Sequence, residues 1–167
     1  MWEVGLQQPV PLDNVNEEML TKKGYLEEKD AKLLLYRFFK ENISFSTKIL
    51  MGVDLFPFQH MMVKAMMQVD YFLGIISRGG SKSYSTAVFI GLYAMMHQGV
   101  HIGVVSASFR QSKAIAKKLE DIAKTPQGQF LARYMKISKA PDQWEIDIGL
   151  SKITILPLKK KKKLRGF

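Results

Sequence analysis

The 167 residues of this chain contain no cysteine and no long apolar segment. Without cysteine the chain can form neither disulfides nor a thiolate metal site. The longest apolar run, residues 87–96, is too short to span a bilayer, and the N-terminus does not have the basic and apolar regions of a secretory signal. The three histidines, His60, His97 and His101, have no metal-ligand spacing. We therefore expect a soluble protein without a membrane partner, built around one hydrophobic core.

Positive charge is abundant and unevenly distributed. The formal net charge is +10, yet the first 30 residues contain seven acidic and three basic side chains. This pattern predicts an acidic, loosely ordered leader over residues 1–26 and a basic domain over residues 27–167, which favours a polyanionic partner such as DNA. Five of the charges form the lysine run 159–163, and such a run is also typical of a solvated loop.

Hydrophobic periodicity predicts alternating helices and strands. Helices are expected over residues 27–42 and 57–69, a buried strand over 72–76, a helix over 86–97 with Gly99 as its C-cap, and a strand over 101–106. Ser108 and Gln111 form a capping-box pattern for a helix through Lys124. Residues 144–148 and 152–156 alternate around Gly149, which predicts a hairpin. This order favours an α/β fold with a parallel sheet and an appended antiparallel hairpin.

A small glycine-bearing loop precedes the third predicted helix. Its residues are Ser77, Arg78, Gly79, Gly80, Ser81, Lys82 and Ser83. Amides at a helix N-terminus favour an anion, and glycines let the main chain approach phosphate oxygens. Lys82 would reach the β- and γ-phosphates of ATP, the Ser83 hydroxyl would bind Mg²⁺, and Arg78 would stabilise charge on the γ-phosphate. The alternative is an ordinary Gly/Ser turn, since Ile76 and Ser81 stand where the general phosphate-loop pattern has glycine.

A glutamine upstream of the loop is a candidate for base recognition. Gln59 lies at the start of a predicted helix between Phe56 and Phe58 and next to His60. Its amide can donate to and accept from the adenine edge at once, while the Phe58 ring could stack on the base. The alternative is a solvated glutamine beside two core phenylalanines.

The loop resembles the Walker A loop of the large terminase subunits of tailed bacteriophages, in which an arginine commonly enters the loop and the glycine before the lysine is replaced. Residues 55–59 look like the adenine-binding element of that family, and residues 164–166 look like the Arg-Gly segment just before its Walker B strand. The resemblance covers residues 43–167.

The resemblance implies a P-loop NTPase fold of the RecA/ASCE type and an ATPase that drives double-stranded DNA into a prohead. It implies a homo-oligomeric ring, a portal protein and a small terminase subunit as partners, and a location in the host cytoplasm at the prohead portal. Arg165 corresponds to the arginine that projects into a neighbouring subunit's ATP site. The family's Walker B acids and nuclease domain are expected beyond Phe167, so we expect this chain to be the N-terminal portion of a longer protein.

Two other interpretations fit the same residues. A superfamily 2 helicase-like ATPase shares the upstream glutamine, the phosphate loop and the parallel sheet. A non-catalytic module that binds nucleotide or DNA would need nothing beyond the segment present.

Overall fold

A computed structural model describes residues 28–158, which form an α/β structure. Six α-helices and one short 3₁₀ turn (Pro126–Gly128) are present in this part of the chain. The helices are α1 (Glu28–Glu41), α2 (Ile43–Met51), α3 (Pro57–Gln68), α4 (Lys82–Met96), α5 (Phe109–Ala123) and α6 (Gln129–Tyr134). The strands are β1 (His101–Ser106), β2 (Met135–Lys139), β3 (Trp144–Ile148) and β4 (Ser151–Pro157). The predicted leader, the lysine run 159–163 and the segment 164–166 lie outside the described residues.

The four strands form one mixed sheet in the order β1-β4-β3-β2. Strand β4 pairs with β1 in parallel, from His101 opposite Lys152 to Ser106 opposite Pro157. Its other edge pairs with β3 in antiparallel register, and β3 pairs in turn with β2. The predicted hairpin is confirmed, because β3 and β4 are joined through Gly149, whose φ of +60° suits a tight turn.

The core lies where β4 and β3 meet helices α4 and α5. Ile153 and Ile155 of β4 and Ile146 of β3 are almost completely buried. Helices α4 and α5 pack against each other and against β4. Strand β4 is paired on both edges, and its buried residues largely alternate with half-buried ones, as in a strand that packs one face into the core.

Helix α2 was not predicted from the sequence. Its residues include β-branched and hydroxyl side chains of modest helix propensity, so it forms mainly through packing against α4 and α6. Gly52 ends it in the left-handed conformation, with φ +67°, and donates its N–H to the Lys48 carbonyl.

Most predicted elements are confirmed, namely helices α1, α3, α4 and α5, strand β1 and the β3–β4 hairpin. Strand β2 and helix α6 were missed, and the sheet is mixed rather than purely parallel because β4 itself belongs to the hairpin. None of the helices within residues 28–158 is long and apolar enough to cross a membrane.

Three local predictions were wrong. Residues 72–76 are not a strand, since they pair with no strand in the described part of the chain and leave Leu73 and Ile75 exposed. Helix α4 is capped by His97, and Gly99 instead forms the turn into β1 with φ +83°. Ser108 does precede α5, but its side chain makes no capping hydrogen bond.

Candidate nucleotide-binding site

The predicted phosphate loop leads directly into helix α4. Lys82 and Ser83 are the first two residues of this helix, and both side chains are exposed. The first intrahelical bond runs from the Ser85 N–H to the Ser81 carbonyl at 2.9 Å. The amides of Lys82, Ser83 and Tyr84 therefore precede the helical ladder, and such amides point outward as donors for an anion.

Two residues of the loop, Gly79 and Ser81, have a positive φ. Gly79 has a φ of +90° and open space where a Cβ would stand, whereas a Cβ on Gly80 would overlap the Ile76 side chain. The Gly80 N–H donates to the Ser77 carbonyl at 3.2 Å and the Ser81 N–H donates to the Gly79 carbonyl at 2.8 Å. Gly79 thus satisfies a backbone requirement and Gly80 a packing requirement against Ile76.

Ser81 is the only non-glycine residue among the described ones with a positive φ, at 52°. A left-handed conformation costs a residue with a side chain about 1–2 kcal/mol. Ser81 stands immediately before Lys82, where the general phosphate-loop pattern has glycine. The backbone at Ser81 therefore has the left-handed conformation that glycine adopts most readily, and strain of this kind concentrates at functional sites.

The loop lies at the carboxyl edge of the parallel strand pair. The other end of α4 is tied to the beginning of β4, because Ser151 Oγ donates to the Ala94 carbonyl at 2.9 Å and accepts from the Gly99 N–H at 3.1 Å. Fifteen helical residues extend about 22 Å. The N-terminus of α4 is thus carried to the opposite edge, where ligands of open α/β sheets usually bind.

Gln59 has a structural role in this fold. Its side chain is 4% exposed, and its Oε1 accepts the Phe56 N–H at 3.0 Å, which caps the start of α3. The rings of Phe56 and Phe58 stack with centroids 6.3 Å apart, and the Phe58 side chain is 52% exposed. Helix α3, which carries Phe58 and Gln59, packs against α4. Adenine recognition by Gln59 and Phe58 stays a prediction.

Of the two candidate arginines, Arg78 lies within the described residues. Arg78 is exposed in the turn of the loop, next to Gly79. Arg165 lies outside the described residues. Within residues 28–158 no group of three or more histidine, aspartate or glutamate side chains could hold a metal ion.

Two side chains of the first turn of α4 were not singled out from the sequence. Ser85 is completely buried, and its Oγ is the one buried side-chain polar atom in the described residues without a hydrogen-bond partner. Tyr84 is half-buried, and burial raises the pKa of its phenol, so the ring stays neutral beside the loop. No sequence signal distinguishes these positions, because their burial depends on how α4 packs.

A cluster of basic and aromatic side chains at the same edge was also missed. It joins Phe109 and Lys113 of α5 to Trp144 of β3 and Lys139 of β2. The helical spacing of Arg110, Lys113 and Lys117 was the available signal, since residues three and four apart share a helix face.

Comparison with known proteins adds no assignment, because neither a protein-family model nor a curated protein matches this chain.

Proposed function

We propose that this chain carries the ATP-binding motor domain of a viral DNA-packaging terminase large subunit, which couples ATP hydrolysis to the translocation of double-stranded DNA into a prohead. The observation that carries the proposal is the conformation of residues 77–83. The residue before Lys82 is left-handed although it is serine, and a 15-residue helix begins directly after it. This combination of a sharp turn and a helix N-terminus is what a nucleotide phosphate chain requires.

The exposed side chains at this turn fit ATP and Mg²⁺. Lys82 would contact the β- and γ-phosphates, and the amides of the first turn of α4 would donate to the same oxygens. The Ser83 hydroxyl would hold Mg²⁺, which neutralises charge on the phosphates when it is bound. Arg78 would hold the γ-phosphate from within the subunit.

The remaining roles rest on the terminase resemblance. Gln59 and Phe58 would contact adenine, Arg165 would act on the ATP site of a neighbouring subunit in a homo-oligomeric ring, and the ring would assemble on a portal protein with a small terminase subunit. A P-loop NTPase fold is part of the same proposal. The described residues support the coarser α/β class, and residues 72–76 do not form the strand that such a fold has before its phosphate loop.

Nucleotide titration of a Lys82→Ala variant tests the proposal. Lys82 is exposed, so its removal leaves the core unchanged, and loss of a charge-assisted bond worth about 1.5–3 kcal/mol weakens ATP binding by roughly 10- to 150-fold. Lys118→Ala is the matched control, because Lys118 is an exposed lysine on α5 away from the loop. Calorimetry with ATP and Mg²⁺ measures both affinities. Equal ATP affinity for Lys82→Ala and the unaltered chain contradicts the proposed function.

A further inference from the structure

A row of positive charge follows the exposed face of α5. Arg110, Lys113 and Lys117 are separated by three and four residues, so they share one side of the helix. Lys139 of β2 extends the row across the sheet. We call these four residues, Arg110, Lys113, Lys117 and Lys139, the basic edge.

Two aromatic rings hold part of the basic edge in place. The Lys113 Nζ lies 4.3 Å from the centroid of the Phe109 ring and 5.4 Å from that of Trp144. The Lys139 Nζ lies 5.0 Å from the Trp144 ring centroid. Cation–π contacts restrict both lysines, so their charges occupy defined positions and lose less side-chain entropy when a ligand binds.

Two carboxylates beside the basic edge are engaged by lysines. Glu120 accepts from both Lys139 and Lys124, at 2.9 and 2.8 Å, and this shared carboxylate neutralises only one of the two. Glu145 is bound to Lys152 at 3.3 Å.

The α5 members of the row face no such carboxylate. Arg110, Lys113 and Lys117 form no salt bridge with any other residue of the described range. Lys139 is thus paired with Glu120, whereas the three α5 members of the basic edge have no salt-bridge partner among the described residues.

The basic edge lies on the same side of the sheet as the phosphate loop. Two residues separate the end of β1 from the start of helix α5, and Trp144 stands opposite Ile155 near the end of β4. Both are at the carboxyl edge, to which α4 also carries Lys82.

We propose that the basic edge binds the phosphodiester backbone of duplex DNA. Helical rise places Arg110 and Lys117 about 10 Å apart along the helix axis, so the row is long enough to contact more than one phosphate of a duplex, which carries a charge for roughly every 1.7 Å of its axis. The Phe109 and Trp144 rings are half-buried and covered by lysines, so they offer no free face for stacking a base. Binding is then governed by charge and independent of sequence. Only the choice of duplex DNA among polyanions rests on the proposed function.

Salt-dependent DNA binding tests the proposal. One variant of the whole chain carries Arg110→Gln, Lys113→Gln and Lys117→Gln. The matched control carries Lys40→Gln, Arg133→Gln and Lys136→Gln, which removes the same charge from other exposed positions. Both sets are also made in a background in which all five lysines of 159–163 are glutamine, so that this run does not dominate the signal.

Fluorescence anisotropy with a labelled 20-base-pair duplex between 50 and 200 mM salt gives the affinity and its salt slope. Each lost phosphate contact lowers the slope of log K against log salt by about 0.9, so the basic-edge variant is expected to lower it by about 2–3 and the control by less than one. Circular dichroism and the urea midpoint verify that each variant folds.

Three results overturn the proposal: no duplex binding by the unaltered chain at 50 mM salt, equal slope losses for the two variants, or tighter binding of single-stranded oligothymidine than of the duplex. The Lys82→Ala variant separates this proposal from the proposed function. Its DNA affinity should be unchanged, whereas the basic-edge variant should bind ATP normally.

Discussion

Two apolar segments of this chain differ in how far their side chains are buried. Residues 71–76 and strand β4 are both rich in isoleucine, leucine and aromatic or branched side chains. Ile153 of β4 is 1% exposed, whereas Tyr71, Leu73 and Ile75 are 95%, 87% and 94% exposed. The sequence predicted a strand in both places, a buried strand at residues 72–76 and one arm of a hairpin at residues 152–156, and only the second was formed.

The difference follows from the number of partners. Strand β4 has β1 on one edge and β3 on the other, and helices cover it, so its backbone groups and its side chains are both satisfied. Residues 71–76 have no strand beside them in the described part of the chain. Burial is thus a property of the assembled sheet, and a segment cannot acquire it by composition alone.

The largest expected effect comes from shortening one isoleucine in each segment. Ile153→Ala should lower the free energy of unfolding by about 2–5 kcal/mol, because it leaves a cavity in the core. Ile75→Ala should change it by less than about 0.5 kcal/mol, because the side chain is already in water. Urea unfolding of the whole chain measures both. Comparable losses would mean that residues 71–76 are packed.

Two glycines with positive φ, Gly52 and Gly79, also differ in how closely their surroundings are packed. A Cβ on Gly52 would overlap the backbone of Gln127, whereas one on Gly79 meets nothing within 4 Å. Gly52→Ala should therefore combine a left-handed penalty of about 1–2 kcal/mol with overpacking of about 1–3 kcal/mol. Gly79→Ala should show only the left-handed penalty of about 1–2 kcal/mol. Equal unfolding midpoints for the two variants would contradict this difference in packing.

Ser81→Gly probes strain in the loop itself. Glycine adopts a φ of 52° without steric cost, so the free energy of unfolding should rise by up to about 1 kcal/mol. ATP affinity should be retained, since the conformation is the same. Chemical denaturation and calorimetry check the two effects. Ser83→Gly is the control for glycine in the regular first turn of α4 in the unfolding measurement only, since Ser83 belongs to the proposed Mg²⁺ site. A less stable Ser81→Gly protein would show that the serine side chain, rather than the backbone, is what the site needs.

The smallest effect is expected at a surface charge of the packed region. Hydrogen bonds from Lys124 and Lys139 lower the pKa of Glu120. A lowered carboxyl pKa stabilises the fold above the unfolded-state pKa, and this contribution is lost as the pH falls through the folded-state pKa. Glu120→Gln should thus cost no more than about 1 kcal/mol at pH 7 and nothing at pH values where the carboxyl is protonated. Urea unfolding at both pH values tests this, and a cost that persists in acid would contradict the ionic origin.

Local sequence signals predicted much of the fold. Pro57 at the first position of α3 and the apolar periodicity of α1, α4 and α5 each carry a signal within a few residues. Helix α2 and strand β2 have no comparable signal, because their stability comes from the helices and the strand against which they pack.

Some features of the candidate site could also be predicted from the local sequence, and others could not. The order of Gly79, Gly80, Lys82 and Ser83 before a helix could be read directly from the residues, and the structure places Lys82 at the first position of that helix. The left-handed backbone of Ser81 could not be predicted from the sequence, because serine, like other non-glycine residues, rarely adopts a positive φ. The structural use of Gln59 Oε1 in capping α3 was missed because it depends on the conformation of the chain at Phe56.

The sequence by itself predicted helices α1, α3, α4 and α5, strand β1, the β3–β4 hairpin and the order of the residues in the loop, because periodicity, proline and glycine act on the chain within one or two turns. Only the tertiary structure decided that β4 would be central, that residues 71–76 would be exposed, and that Lys113 would meet Trp144 across the sheet. These outcomes depend on pairing between segments distant in the chain. Such pairing depends on the register and partners of every strand at once, which no local pattern specifies.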